Sequence, residues 1–402
     1  MNKKIKLFLR NFLPYRMSRQ TKELFVSNII INLALAMVQL YEPIYLFKLG
    51  YQIYEIAIFY LLVYVLYFFA LPLGAKFANK YGYENGMFLG SVLYIPFYLS
   101  LFLITKFSFM FFLAIIFYVL QKMFYWPAYH GNFSHNSVGK EEGREISSAS
   151  ISSSLMFIFG PIIGGILIQY FGFAVLFIVA SILFLVSNIP MLLTKETFTK
   201  RNFRYSFIFK DIFQKSNLKA LFSTIGYAEE LVLFVFWPIF MIFMIDSYEK
   251  IGFLSGISSF IMLLSTLYIG RLCDKRDKKV ILRLSSFFYA FTWIAKIFVR
   301  SIFPIFVFDT FSKTAKSGVD VSMRSIVYED ARTDYREQKN ENDNSIMERC
   351  VNYESGLVLG KIFACFVMLG LSLVFLLPSQ LNQFFMYSFI FSAIMSFFYA
   401  FL

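Results

Sequence analysis

Apolar runs of about twenty residues, separated by short polar segments, organise this chain. They fall at 24–47, 54–73, 85–104, 107–129, 146–169, 173–193, 218–245, 251–270, 280–299, 303–323, 346–371 and 383–402. An α-helix needs about 20 apolar residues to cross a hydrocarbon core of roughly 30 Å. The pattern therefore predicts an all-α membrane protein with about twelve transmembrane helices. The fifth and sixth runs are parted only by residues 170–172, and the last two by a loop around Pro378.

The tenth run breaks the apolar rule. Asp309, Lys313, Lys316 and Asp320 interrupt it at spacings of four, three and four. At about 100° per residue they share a sector of roughly 60°. Phe308, Phe311, Ala315 and Val319 lie opposite. A charge at the bilayer centre costs at least ~2.5–3.5 kcal/mol, so these groups face protein or a water-filled cavity. Two readings stand. The row lines a polar cavity between helices, or the Asp309–Lys313 and Lys316–Asp320 pairs neutralise each other at i,i+4 and only hold helices together.

Composition narrows the class. The 402 residues are 58% hydrophobic and only 16% charged, too apolar for a soluble domain. The net charge of +13 does not imply nucleic acid, because the cations sit between apolar runs and form no contiguous stripe. Instead they orient the chain. Basic residues crowd the segment before the first helix and every second loop thereafter, while the alternate loops hold only Lys48, Lys106, Lys250 and Arg300. By the positive-inside rule both termini are cytoplasmic, and the plasma membrane is the expected location. The basic start, residues 1–23, reads as an amphipathic cytoplasmic arm before an uncleaved first helix rather than as a signal peptide. Cys273, Cys350 and Cys365 have no disulfide or metal spacing.

The chain repeats itself. Pro43 in EPIYLF matches Pro238 in WPIFMI, and AKFANK (75–80) matches GRLCDK (270–275), both at an offset of 195 residues. Shared offset and helix order predict two pseudo-symmetric six-helix bundles. The bundles are 24–193 and 218–402, joined by a basic cytoplasmic linker at 194–217. Residues 329–345, rich in Asp, Glu, Asn and Arg, read as a solvated cytoplasmic loop.

Three motifs carry chemistry. The turn after the eighth helix keeps Gly270, Leu272, Asp274 and Lys275. Its counterpart after the second keeps Phe77, Ala78, Lys80 and Gly82, but has Ala75 where the later copy has glycine and Asn79 where it has aspartate. In the fifth helix Gly160, Pro161, Gly164 and Gly165 loosen the helix and permit close packing. Tyr125-Trp126-Pro127-Ala128 ends the fourth. In these turns, the Gly-Pro-x-x-Gly-Gly core and the helix count, the chain resembles the major facilitator superfamily. The resemblance implies an MFS fold around a central cavity, with the two turns acting as cytoplasmic gating loops: Asn79, Lys80, Gly82, Gly270, Asp274 and Lys275. It also implies that the first, fourth, seventh and tenth helices line the path. Glu42, Lys122, Glu229, Glu230, Asp309, Lys313, Lys316 and Asp320 then fall on lining helices. Glu230 and Asp309 are candidates to exchange a proton as access alternates, and Lys313 and Lys316 to hold an anionic group or pair with carboxylates.

Other polar residues at membrane depth are Lys296, Glu354 and Lys361. Lys296 and Arg300 read as interfacial, one turn apart near an outer end. Tyr41, Tyr45, Trp126 and Trp237 suit either a stacked ligand or an interfacial belt. His130 and His135, five apart in a cytoplasmic loop, share no helical face for a metal. No phosphate-binding Gly-rich loop and no nucleophile–base set stands out, so neither ATP drive nor an enzyme is expected, and no cofactor. The expectation is a monomeric secondary transporter moving a small polar or charged solute by alternating access, coupled to protons or another ion. Two alternatives remain: an exporter of amphipathic compounds on the same fold, and a transport-silent membrane sensor or scaffold.

Overall fold

A computed structural model describes residues 19–136, 142–190, 205, 218–337 and 345–401. The linker at 194–217 (Tyr205 apart), and the first 18 residues of the arm, lie outside them. Twelve helices follow one another. Helix α1 is Arg19–Val38, resuming as Glu42–Lys48; α2 is Ile53–Tyr81, α3 Tyr83–Leu103 and α4 Met110–Asn136. Glu142–Val186 is two helices, α5 and α6, parted where Gly172 takes φ 81°. Helix α7 runs from Leu218 to Ile245 with internal breaks, α8 is Tyr248–Lys275, α9 Lys278–Lys296, α10 Ile302–Glu337, α11 Ser345–Val374 and α12 Leu381–Phe398.

Among the described residues, nine helices are long and apolar enough to cross a bilayer. One of them, 152–186, is the α5–α6 pair, and α9 and α10 carry too many charges to qualify on composition alone. Together they make the twelve spans. Large apolar side chains cover the exterior: Phe298 is 72% exposed and Phe303 73%. Such a surface suits lipid, not water. Of the loop expected at 329–345, residues 329–337 are instead a continuation of α10, which runs as helix to Glu337, and 338–344 lie outside the described residues. Past the bilayer a charged helix keeps its backbone bonds and its side chains meet water, so charge alone does not end it.

Within each half the packing repeats. Helix α4 packs on α2 and α3, and α10 packs on α8 and α9. Between halves, α5 lies along α8 and α2 along α11. These two contacts are equivalents, since the second helix of each half meets the fifth of the other. Small residues allow the approach. A Cβ on Gly252 of α8 would strike the Pro161 carbonyl of α5, and one on Gly256 would strike that of Ile158. Gly160 and Gly164 lie as tightly against Ala36 and Met37 of α1. Gly165 is hemmed by the Tyr41 hydroxyl and the Tyr248 carbonyl.

The prolines at the repeat offset break both lead helices. Proline removes a backbone donor and clashes one turn back. In α1 the helix stops at Val38 and restarts at Glu42, with Pro43 in its first turn. In α7, Pro238 follows a π-helical stretch, Val232–Phe236, which itself follows a 3₁₀ turn at Gly226–Ala228. Only three residues, Glu229–Leu231, are regular helix between these irregular turns, and they carry both carboxylates.

Candidate functional site

The irregular turns of α7 aim Glu229 and Glu230 at α10 and α11. Glu229 is fully buried. It accepts from Tyr289 at 2.6 Å and Tyr399 at 2.8 Å, and pairs with Lys316 at 2.8 Å. Lys316 also reaches Glu230 at 3.4 Å and Asp320 at 3.5 Å, and donates to the Tyr399 hydroxyl at 2.7 Å. Its ammonium lies 4.3 Å from the Tyr227 ring and 4.6 Å from that of Tyr399. Glu230 gives its other oxygen to Lys361 of α11 at 3.0 Å. Charges removed from water need partners of this density, since desolvating each costs several kcal/mol. Glu230, Lys361 and Asp320 remain partly exposed, Asp320 at 31% of its side chain.

A second group lies on α10 nearer the α9–α10 turn. Asp309 pairs with Lys313 at 2.9 Å and accepts from the Trp237 indole at 2.9 Å. Lys313 also donates to Ser255 and Ser259 of α8. The row on α10 thus divides, Asp309 and Lys316 turning to α7 and Lys313 to α8. Beside it, Lys296 overturns its interfacial reading. It is fully buried, 3.8 Å from the Trp293 ring and 4.1 Å from that of Trp237, and it donates to Ser312 at 3.0 Å. Two indole faces replace water around the amine, and those rings come from different helices.

The first half contributes its own charges. Glu42 is buried and accepts from Tyr98 at 2.7 Å and Tyr118 at 3.5 Å. Lys122 of α4 lies 4.4 Å from the Tyr118 ring and 5.8 Å from that of Tyr64. Across the halves, Glu354 of α11 accepts from Tyr67 of α2 at 3.2 Å and lies 3.5 Å from His130. His130 therefore sits on α4, not in a loop, because the helix continues through Asn136. The side chain of His135 lies outside the described residues.

The two turns differ in detail. Gly82 joins α2 to α3 at φ 107°, a conformation rare for other residues. Asn79 is buried, its amide without a hydrogen-bond partner among the described residues, and Lys80 is exposed over the Tyr81 ring. Gly270 faces open space. The side chains of Asp274 and Lys275 lie outside the described residues. The side chain that caps α9 is Asp277, which accepts from the Lys279 N–H at 2.8 Å.

The twelve-helix fold and its buried ion pairs meet a sequence match. The model of the Major Facilitator Superfamily matches residues 10–336. The chain belongs to that superfamily. This facilitator is a multi-pass membrane transporter, and α11 and α12, beyond the matched residues, complete its second bundle. No curated protein matches it. Lys361 on α11 and Tyr289 on α9 enter the cluster, and Glu354 on α11 bonds Tyr67 and meets His130 across the halves, although the sequence places none of them on the lining helices. The available signal was an ionisable residue inside an apolar run, present at 354 and 361. Nothing in the sequence singles out Tyr289 among 26 tyrosines.

Proposed function

We propose that this facilitator is a secondary active transporter that moves a small polar or charged solute by alternating access and couples that movement to protons. One observation carries the reading. Glu230, partly exposed inside the bundle, joins α7 to α10 through Lys316 and to α11 through Lys361. A carboxylate held between two ammoniums can trade partners when one of its helices moves, and so can take up or release a proton at that step. The solute path then lies between the halves, past Glu42, Lys122, Glu229, Glu230, Asp309, Lys313, Lys316 and Asp320. Residues 24–193 and 218–402 act as the two moving bodies, the 194–217 linker ties them, and the turns at 79–82 and 270–275 gate the cytoplasmic end. Both termini are cytoplasmic on this reading. Gly160, Pro161, Gly164 and Gly165 form the surface on which α5 slides.

The test is flux in proteoliposomes that enclose a pH-sensitive dye. A panel of amino acids, organic acids and sugars is added outside under an imposed pH gradient. At least one solute should move protons, and Glu230→Gln should abolish proton movement while the protein stays folded. Solute flux that ignores the gradient removes the proton coupling. Amphipathic dyes moving in place of polar solutes would select the exporter. No flux of any panel member would favour the sensor.

A further inference from the structure

Lys122 stands apart from the other intramembrane cations. Lys313 and Lys316 pair with carboxylates on their own helix or on α7, Lys361 pairs with Glu230, and Lys296 donates to Ser312 between two indoles. Lys122 has neither a carboxylate within 4.0 Å nor a hydrogen bond among the described residues; its contacts are the rings of Tyr118 and Tyr64. Glu42 of its own half and Glu354 of the other act on Lys122 from beyond that range, and both are bonded elsewhere, Glu42 to Tyr98 and Tyr118 and Glu354 to Tyr67.

The Tyr64 ring has a second cation. Lys361, from the other half, lies 5.7 Å from its centroid, against 5.8 Å for Lys122. The two nitrogens are therefore no more than about 11.5 Å apart, the sum of those distances. One ammonium from each half converges on one ring, and only one of the two has a carboxylate within 4.0 Å. Two like charges at this range repel, more than in open water because both side chains are partly buried. A negative group placed between them would relieve that repulsion and attract both halves at once.

We propose that Lys122 and Lys361 form an anion clamp across Tyr64, and that the transported solute carries a carboxylate or phosphate that docks there. This rests on the transporter reading and names its substrate class. The clamp also gives the solute differential affinity for the state in which the halves meet, the condition for a ligand to shift that equilibrium. Tyr64 holds the spacing by its ring, and Glu230 keeps Lys361 in place when the site is empty.

The test needs no gradient. Full-length protein in detergent is titrated with acetate, succinate and inorganic phosphate, against chloride at matched ionic strength and against acetamide and succinamide. Thermal midpoint is the readout. At least one anion should raise the midpoint where its neutral counterpart does not. Lys122→Gln should weaken that effect at least about tenfold, Lys122→Arg should keep most of it, and Lys106→Gln, an exposed cation outside the clamp, should leave it unchanged. Acylation of wild-type lysines, read by mass spectrometry, gives an independent measure should Lys122→Gln not fold: the same anion protects Lys122 while Lys106 continues to react. The acetate–succinate and phosphate arms separate the two anion chemistries. If no anion in the panel acts beyond its control, or the shift survives in Lys122→Gln, the clamp is wrong. Transport of an uncharged solute by the same protein would then leave the carrier reading standing, and that reading fails only if no solute moves.

Discussion

Lys316 shows how much one side chain holds at membrane depth. It meets Glu229, Glu230 and Asp320 and donates to Tyr399. Removing one partner of a buried pair leaves an uncompensated charge and costs about 3–5 kcal/mol. Lys316→Gln should therefore lower the thermal midpoint sharply, because Glu229 keeps only two tyrosine hydroxyls in a fully buried place. Glu229→Gln combined with Lys316→Gln should recover most of the loss, since the fully buried carboxylate is then uncharged and the other two partners of Lys316, Glu230 and Asp320, are partly exposed. Thermal unfolding in detergent checks both, and a double variant no more stable than the single one would show that Glu229 is not the residue stranded. The α10 charges were legible in the sequence because a shared face is a local property, set by spacing on one helix. Lys296 was not legible. Its environment is made by Trp237 from another helix, and an amine one turn from Arg300 looks the same in sequence whether it is boxed by indoles or reaches for water.

At the scale of the helix, the contact between α5 and α8 depends on an absence of side chains. Gly160, Pro161, Gly164 and Gly165 announced the α5 side. The matching signal on α8, Gly252 and Gly256 at a spacing of four, is a small-xxx-small pattern. Gly252 has no room for a Cβ beside the Pro161 carbonyl and the Tyr41 hydroxyl. Forcing extra methyl groups into such a contact costs about 1–3 kcal/mol. Gly252→Val should hold α5 and α8 apart and cut solute flux, whereas Gly370→Val, at a position with open space around it, should leave flux near wild type. Proteoliposome uptake normalised to reconstituted protein decides between them. The start of α9 teaches a related point. Asp277 caps α9, because the chain needs an acceptor at the helix start and 277 is where that start falls.

Across the whole molecule the pseudo-symmetry is strong in packing and weak in chemistry. The offset that aligns Pro43 with Pro238 also aligns Glu42 with Trp237 and Tyr98 with Trp293. A carboxylate with its tyrosine donor in one half is thus an indole pair around Lys296 in the other. The two halves share a frame but not a site, so the repeat foretold the architecture and could not foretell which half carries which charge. Where the frame closes is visible at the end bearing the α1–α2 and α7–α8 turns. There Lys48 donates to Asp246 across the halves at 2.7 Å, and Tyr41 bonds the carbonyls of Pro161 at 2.7 Å and Tyr248 at 3.2 Å. An exposed ion pair contributes little, because water screens it. It therefore adds little to the contact of the halves at this end, which the buried Tyr41 and glycine contacts carry. The bond from Lys48, and then its charge, hold the Asp246 carboxyl below its ordinary value. The sign follows from linkage: a carboxyl depressed in the folded state contributes above the unfolded value of 3.8 and loses that contribution as pH falls through the folded one. The Asp246 carboxylate thus stays ionised throughout the neutral range, and Asp246→Asn should leave the pH profile of flux unmoved. With Cys273, Cys350 and Cys365 replaced by serine, Lys48→Cys and Asp246→Cys joined by a short thiol cross-linker should stop flux, while each single cysteine treated alike should not. Cross-linked protein that still transports would mean that Lys48 and Asp246 need not part for solute to pass, and would count against opening at this end by separation of the halves.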